Sequence, residues 1–290
     1  MLQDKHGPID YSEQGAGPTI VLVPGSWSSE SAWRDIVAGL RNRFRTVTTS
    51  LPGYGGTRES RTSSDSSVDR QSETVEAVIR HTGGPVHLVG HSYGALVCLD
   101  LALCGLVPLM SLTLIEPVAF GLLRQAGEQT LYEQFIAMRD DYVRAYENGD
   151  KEAARRMVDY LAGRGSFDAL PSRGRQYVVD ATPTHIRDMR SGFDPSMGSL
   201  ANILLPSLII RGEHGAEPLA KSADILSRAM ANASLRTIAG ASHFMPTTHA
   251  AELARLIGDH VLMTESLAWS SLSFASPFGP GFRNPAGSVS

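Results

Sequence analysis

The sequence predicts an α/β fold: a mostly parallel, doubly wound sheet of about eight strands with one inserted helical segment. Short β-rich apolar runs alternate with segments of helical periodicity, and this alternation stops after Pro117 and resumes near Leu205. The runs at 19–23, 46–51, 86–89, 111–115, 207–210 and 235–238 are bounded by Pro or Gly and are mostly too short for helices. Residues 9–14 fit an antiparallel edge strand. Helices are expected at about 30–41, 68–81, 93–106, 220–231 and 249–261, placing helical cover on both faces of the sheet.

Three regions follow from this pattern. Residues 1–117 and 205–264 form the sheet-bearing core, and 118–204 form a helical cap. Within the cap, apolar residues recur at three- and four-residue intervals over 128–148 and 151–161. Residues 265–290 are expected to be a flexible tail, because the stretch from Ala268 is dense in Ser, Gly and Pro, nearly uncharged and without sustained periodicity.

The composition excludes several classes. In a chain of 290 residues, 26 Lys plus Arg stand against 30 Asp plus Glu, a net charge of -4 with no long basic run. A nucleic-acid partner is therefore not expected. Cys98 and Cys104 lie six apart on one expected helix, point to different faces and read as reduced core residues. Residues 1–10 carry Asp4, Lys5 and His6 and no apolar run, unlike a secretory signal. The longest apolar stretch, 95–110, is broken by Asp100 and Pro108 and is too short to span a bilayer. A cytoplasmic protein, monomeric or homodimeric, acting on a small-molecule substrate, is the expectation. No cofactor or metal is expected: Glu213-His214 lacks further ligands at recognisable spacing, and no nucleotide-binding loop is present.

The chemistry centres on Gly90-His91-Ser92-Tyr93-Gly94, where a buried apolar strand runs through Gly-x-Ser-x-Gly straight into an apolar helix. A serine at such a turn must take a strained backbone conformation, and the flanking glycines remove side chains that would collide there. The turn lifts the hydroxyl above the sheet and aims a helix N-terminus at the reacting centre. The plainer alternative makes Ser92 a helix N-cap; the strand before and helix after favour the nucleophile. His91 is read as structural.

With these residues in view, the chain resembles the α/β-hydrolase superfamily over residues 9–263. Val21-Leu22-Val23-Pro24-Gly25-Ser26-Trp27 resembles the family's loop after its third strand, with Pro24-Gly25 where the family usually has His-Gly. Leu51-Pro52-Gly53-Tyr54-Gly55 resembles its Leu-Pro-Gly-x-Gly loop. The resemblance implies an oxyanion hole built from the backbone N–H groups of Ser26 and Tyr93, a donor pair of the kind whose members are each worth a few kcal/mol of barrier. It also implies that His243, in Gly240-Ala241-Ser242-His243 after the last strand, is the base that takes the serine proton. His214 and His249 are less well placed.

The acid departs from the family pattern. Where the resemblance implies an Asp, three residues beyond Gly212, the chain has Gly215. The favoured substitute is Glu116, at the end of the preceding strand, where some family members, certain haloalkane dehalogenases among them, carry the acid; Glu213 and Glu217 are its rivals. Its task is to accept Nδ1–H of His243. Trp27, Phe120 and Phe244 are expected to line an apolar pocket. The expected reaction is hydrolysis of a small to medium carboxylic ester, thioester or lactone through a Ser92 acyl-enzyme. Carbon–carbon bond hydrolases, acyltransferases and lyases share the framework, and the missing Asp at 215 also motivates a non-catalytic ligand receptor.

Overall fold

In a computed structural model, described for residues 1–62, 67–191 and 193–274, the core is a seven-stranded sheet. Its N-terminal hairpin, β1 (Leu2–Asp4) and β2 (Gly7–Ile9), stands apart as a separate two-stranded sheet. The main sheet comprises β3 (Tyr11–Gln14), β4 (Thr19–Val23), β5 (Arg45–Thr49), β6 (Val86–His91), β7 (Leu109–Ile115), β8 (Ser207–Gly212) and β9 (Ala233–Ile238). The strand order is β3-β5-β4-β6-β7-β8-β9, and only β3, on the edge, runs antiparallel to its neighbour. The expectation of about eight strands exceeds the sheet by one.

Successive residues of the central strands face opposite layers, as the strand pleat requires. Val21, Val23, Leu88 and Leu112 enter one core, while Ile20, Leu22, Val89 and Ile210 enter the other. The first core is covered by α2 (Asp69–Thr82) and α3 (Tyr93–Cys104), the second by α1 (Arg34–Leu40). Burial on both faces is why these strands read as continuous apolar runs.

Among the described residues, seven helices lie between β7 and β8: α4 (Gly121–Gln125), α5 (Gln129–Glu147), α6 (Ala154–Ala162), α7 (Ser166–Ala169), α8 (Ser172–Asp180), α9 (Thr182–Met189) and α10 (Met197–Leu200). After β8 come α11 (Glu217–Ala229), α12 (Met245–Thr248) and α13 (Ala250–Phe274). Leu253, Ile257 and Val261 of α13 join the second core.

Two expectations need correction here. The tail expected from residue 265 does not start there, because α13 continues to Phe274. No Pro or Gly follows Gly258 until Pro277, and the Thr264 hydroxyl donates back to the His260 carbonyl at 3.0 Å, so nothing breaks the helix. The remainder of that expected tail, 275–290, lies outside the described residues. Cys98 is buried as expected, but Cys104 is exposed at the end of α3. Among the described residues, no helix is long and apolar enough to cross a membrane.

Candidate active site

Ser92 joins β6 to α3 with φ 56° and ψ −121°, a conformation that a residue with a Cβ adopts only under constraint. The constraint acts from both sides. Its N–H donates to the Ile115 carbonyl at 2.8 Å, and its carbonyl accepts from the N–H groups of Ala95 and Leu96. A Cβ on Gly90 would meet the Gly94 carbonyl and Ala95, and one on Gly94 would meet the carbonyls of Val23 and Pro24. The two glycines thus let strand, helix and the β4 loop close onto one another around the serine. Tyr93 is the first residue of α3, so its N–H has no partner within the helix.

His243 follows β9 and is 4% exposed. Its Nε2 lies 3.0 Å from Ser92 Oγ, and its Nδ1 lies 3.3 Å from Glu116 Oε2. A carboxylate oxygen accepts, so in the neutral ring Nδ1 carries the proton and Nε2 accepts from the serine hydroxyl. His91 supports this arrangement from behind. Its Nε2–H donates to the His243 carbonyl at 3.0 Å, and burial, helped by the neighbouring His243, holds its pKa well below the ordinary imidazole value.

Glu116 is fully buried at the end of β7, with φ 46°. Its Oε1 accepts from Gly212 N–H at 2.7 Å, leaving Oε2 for His243. Gly215 supplies the space: a Cβ there would stand 3.0 Å from Oε2 and 3.1 Å from Oε1. The carboxylate of Glu116 therefore lies beside the position where the family pattern places its Asp. The rivals are elsewhere. Glu213 is exposed and accepts from Gly240 N–H at 2.8 Å, and Glu217 is exposed in the first turn of α11.

The loop after β4 presses against the serine. A Cβ on Gly25 would lie 2.8 Å from Ser92 Cβ, so only glycine allows Ser26 to follow so closely. Trp27 takes φ 57°. Among the described residues, Trp27, Ser92 and Glu116 are the non-glycine residues with left-handed φ, and all three belong to this site.

A cavity of about 510 Å³ opens over Ser92 and His243. Ser26, Trp27 and Phe244 form part of its wall from the sheet side; Val158, Leu161, Leu170, Tyr177 and Val178 of the inserted helical segment face them. Its described lining contains no Asp, Glu, Lys or Arg. Phe120, expected in the wall, is not there. The turn into α4 packs its ring against Phe135, with centroids 4.0 Å apart, inside the first core.

Two residues of α9 escaped the sequence reading. His185 lines the cavity, stacks on the Trp27 indole at 3.6 Å between centroids, and pairs with the Tyr142 hydroxyl at 3.0 Å through Nδ1. Burial, with His243 nearby, pushes its pKa down to about 3, so it is neutral. Asp188 accepts from the hydroxyls of Ser26 and Tyr54 and pairs with Arg61. Neither residue sits in a local motif, and nothing in the spacing of the chain links them to Ser26 or Trp27.

Comparison with known proteins bears on the family and the fold. The model of the alpha/beta hydrolase family matches residues 20–256. A pimeloyl-[acyl-carrier protein] methyl ester esterase of Methylococcus capsulatus is 36% identical over 102 residues, which are 35% of this chain and 37% of that protein. A protein phosphatase methylesterase 1 of Bos taurus is 31% identical over 115 residues, 37% of this chain and 30% of that protein. The chain thus matches only about a third of the length of these curated relatives. Solved structures match more of it: a thermophilic esterase from Thermogutta terrifontis has a TM-score of 0.70 at 18% identity, covering 88% of this chain and 93% of that one. An alpha/beta hydrolase from Sphaerobacter thermophilus has a TM-score of 0.64 at 20% identity, covering 88% and 98%. At such identities these two likenesses bear on the fold. With a family model spanning most of its length and relatives that include esterases, this chain belongs to the alpha/beta hydrolase family.

Proposed function

We propose that the protein is a serine esterase that cleaves small to medium, uncharged carboxylic esters, thioesters or lactones, with Ser92 as nucleophile, His243 as base and Glu116 as orienting acid. The observation that carries this reading is the unbroken hydrogen-bonded line from Ser92 Oγ through both nitrogens of His243 to Glu116 Oε2, opening onto a cavity.

In the first step Ser92 Oγ attacks the ester carbonyl carbon while His243 Nε2 takes its proton. The carbonyl oxygen becomes an alkoxide, received by the N–H groups of Ser26 and Tyr93. Glu116 stabilises the imidazolium, which then protonates the departing alcohol or thiol. Water, deprotonated by the same imidazole, attacks the acyl-enzyme and releases the acid and the free serine. The inserted helices serve as a cap whose apolar wall excludes water and selects the acyl chain. Because no Asp, Glu, Lys or Arg lines the described cavity, a charged acyl or alcohol portion entering it would lose hydration without a fixed counter-charge, a cost of several kcal/mol.

The test is labelling with a fluorophosphonate probe together with hydrolysis of p-nitrophenyl esters from acetate to octanoate. Both are expected in the native protein, and both are expected to vanish in Ser92→Ala. A native protein that resists the probe and hydrolyses none of these esters refutes the reading.

A further inference from the structure

The residue pair Ser26-Trp27 is gripped by helix α9. The Ser26 hydroxyl donates to Asp188 Oδ2 at 2.5 Å, and the Trp27 ring stacks on His185. Three further groups of the core converge on the same carboxylate. Tyr54 OH donates to Oδ2 at 2.6 Å, and Arg61 Nη1 donates to Oδ1 at 2.7 Å; Gln71 Nε2 reaches Oδ1 at 3.2 Å. Side chains of Asp188 and Arg61 are both wholly buried. One turn earlier on α9, Thr184 presses so closely on Gly53 that a Cβ there would lie 2.6 Å from its Cγ2. The helix is thus seated on two core loops at once, after β4 and after β5.

This seating has two chemical consequences. Trp27 holds a left-handed φ that costs of order 1–3 kcal/mol and persists only where its surroundings over-determine it; the stack on His185 and the bond from its neighbour Ser26 to Asp188 supply that determination. A lone buried anion near a developing alkoxide would oppose the reaction, and the Arg61 guanidinium offsets it.

We propose that Asp188 is a positioning residue, which by accepting the Ser26 hydroxyl sets the loop whose N–H receives the alkoxide, so that this half of the oxyanion hole forms only when helix α9 is seated. This rests on the esterase reading above, in which the Ser26 N–H is a donor to the alkoxide.

The test compares Ser26→Ala, which keeps the N–H and removes only the hydroxyl, with Asp188→Asn and the double variant. Rates on p-nitrophenyl butyrate are normalised to active sites titrated with a fluorophosphonate. The inhibition constant of a trifluoromethyl ketone, which adds to Ser92 as a tetrahedral alkoxide, is measured alongside. Each single variant is expected to lose on the order of tenfold in kcat with little change in KM, less than outright removal of a donor costs. The inhibitor constant is expected to rise by a similar factor, and the double variant to be no worse than the poorer single one. A mere folding defect would lower the titrated fraction and leave kcat per site and inhibitor binding unchanged; that outcome overturns the proposal. Additive losses in the double variant, or wild-type kcat in Ser26→Ala, overturn it also. Since Asp188→Asn leaves Arg61 buried beside a neutral amide and can fail to fold, Ser26→Ala alone is sufficient to decide. Turnover by Ser92→Ala at the wild-type rate takes down the esterase reading itself, whereas a dead Ser92→Ala with unaffected Ser26→Ala removes only the positioning role.

Discussion

Moving the carboxylate that faces His243 from one strand end to the next puts the site geometry to a direct test. Glu116→Ala removes the acceptor of Nδ1–H and leaves the Gly212 N–H without its partner. In a serine–histidine–carboxylate system the wrong tautomer costs about 10⁴ in kcat, which at about 1.36 kcal/mol per decade is roughly 5.4 kcal/mol of barrier. Gly215 offers the relocation site, because its φ lies outside the left-handed region and its Cβ would stand 3.0–3.1 Å from the present carboxylate oxygens. In the wild-type background Gly215→Asp forces two carboxyl groups into one space and is expected to destabilise by about 1–3 kcal/mol through crowding alone, with like-charge repulsion added. With Glu116 shortened to alanine the same substitution places a carboxylate beside Nδ1. The double variant is expected to recover tenfold or more of the activity that Glu116→Ala loses. The assay is p-nitrophenyl butyrate hydrolysis per titrated active site, with thermal denaturation monitoring the fold. A Glu116→Ala protein within threefold of wild type, or a folded double variant as inactive as Glu116→Ala, would refute the reasoning.

Gly25→Ala brings a Cβ to within 2.8 Å of Ser92 Cβ, so loop and serine must part; displacements of about 1 Å can cost on the order of 10² in rate, and kcat/KM should fall with little change in Tm. Gly94→Ala drives a Cβ into the backbone carbonyls of Val23 and Pro24, which cannot rotate away; the variant should lose several kcal/mol and accumulate mainly as insoluble protein, as read by soluble yield and denaturant midpoint. His185, with a folded pKa near 3, stays unprotonated in the native state while the unfolded chain binds a proton below about 6.5. Stability is therefore intact above pH 6.5 and is lost as pH falls from 6.5 towards 3, by up to about 1.4 kcal/mol per pH unit from this group. Urea midpoints measured from pH 7 to 4 should show a shallower decline in His185→Asn than in the native chain, and parallel declines would reject the assignment.

The sheet was legible because its strands are buried on both faces, which concentrates apolar residues into short runs that Pro and Gly end. The turn at Ser92 is legible for a related reason: a strained turn leaves glycines at fixed offsets, and those offsets are local, whereas His243 is reached through the family resemblance and its place after the last strand. Glu116 emerged only from the absence at Gly215 together with a family resemblance, and the space between them explains the exchange, since one position vacates what the other fills. His185 and Asp188 act across more than a hundred residues of intervening chain, and no periodicity encodes such contacts. Phe120 shows the opposite failure: an apolar residue near the right place says nothing about which way its helix turns it. The continuation of α13 as far as Phe274 escapes the sequence because serine-rich composition resembles loss of order, although helix-breaking residues begin only at Pro277.

Three adjacent strands, β4, β6 and β7, each deliver one non-glycine residue in left-handed geometry to the same spot. Each such residue costs of order 1–3 kcal/mol, so this corner draws down stability that the two apolar cores replenish. Glycine at 27 or 116 would relieve that strain, but it would also empty the stack on His185 or leave the Gly212 N–H unpartnered, and would dismantle the proposed hydrolytic apparatus. Thermostabilisation of this enzyme should therefore be sought in the outer helices and loops, with the three strand tips left as they are.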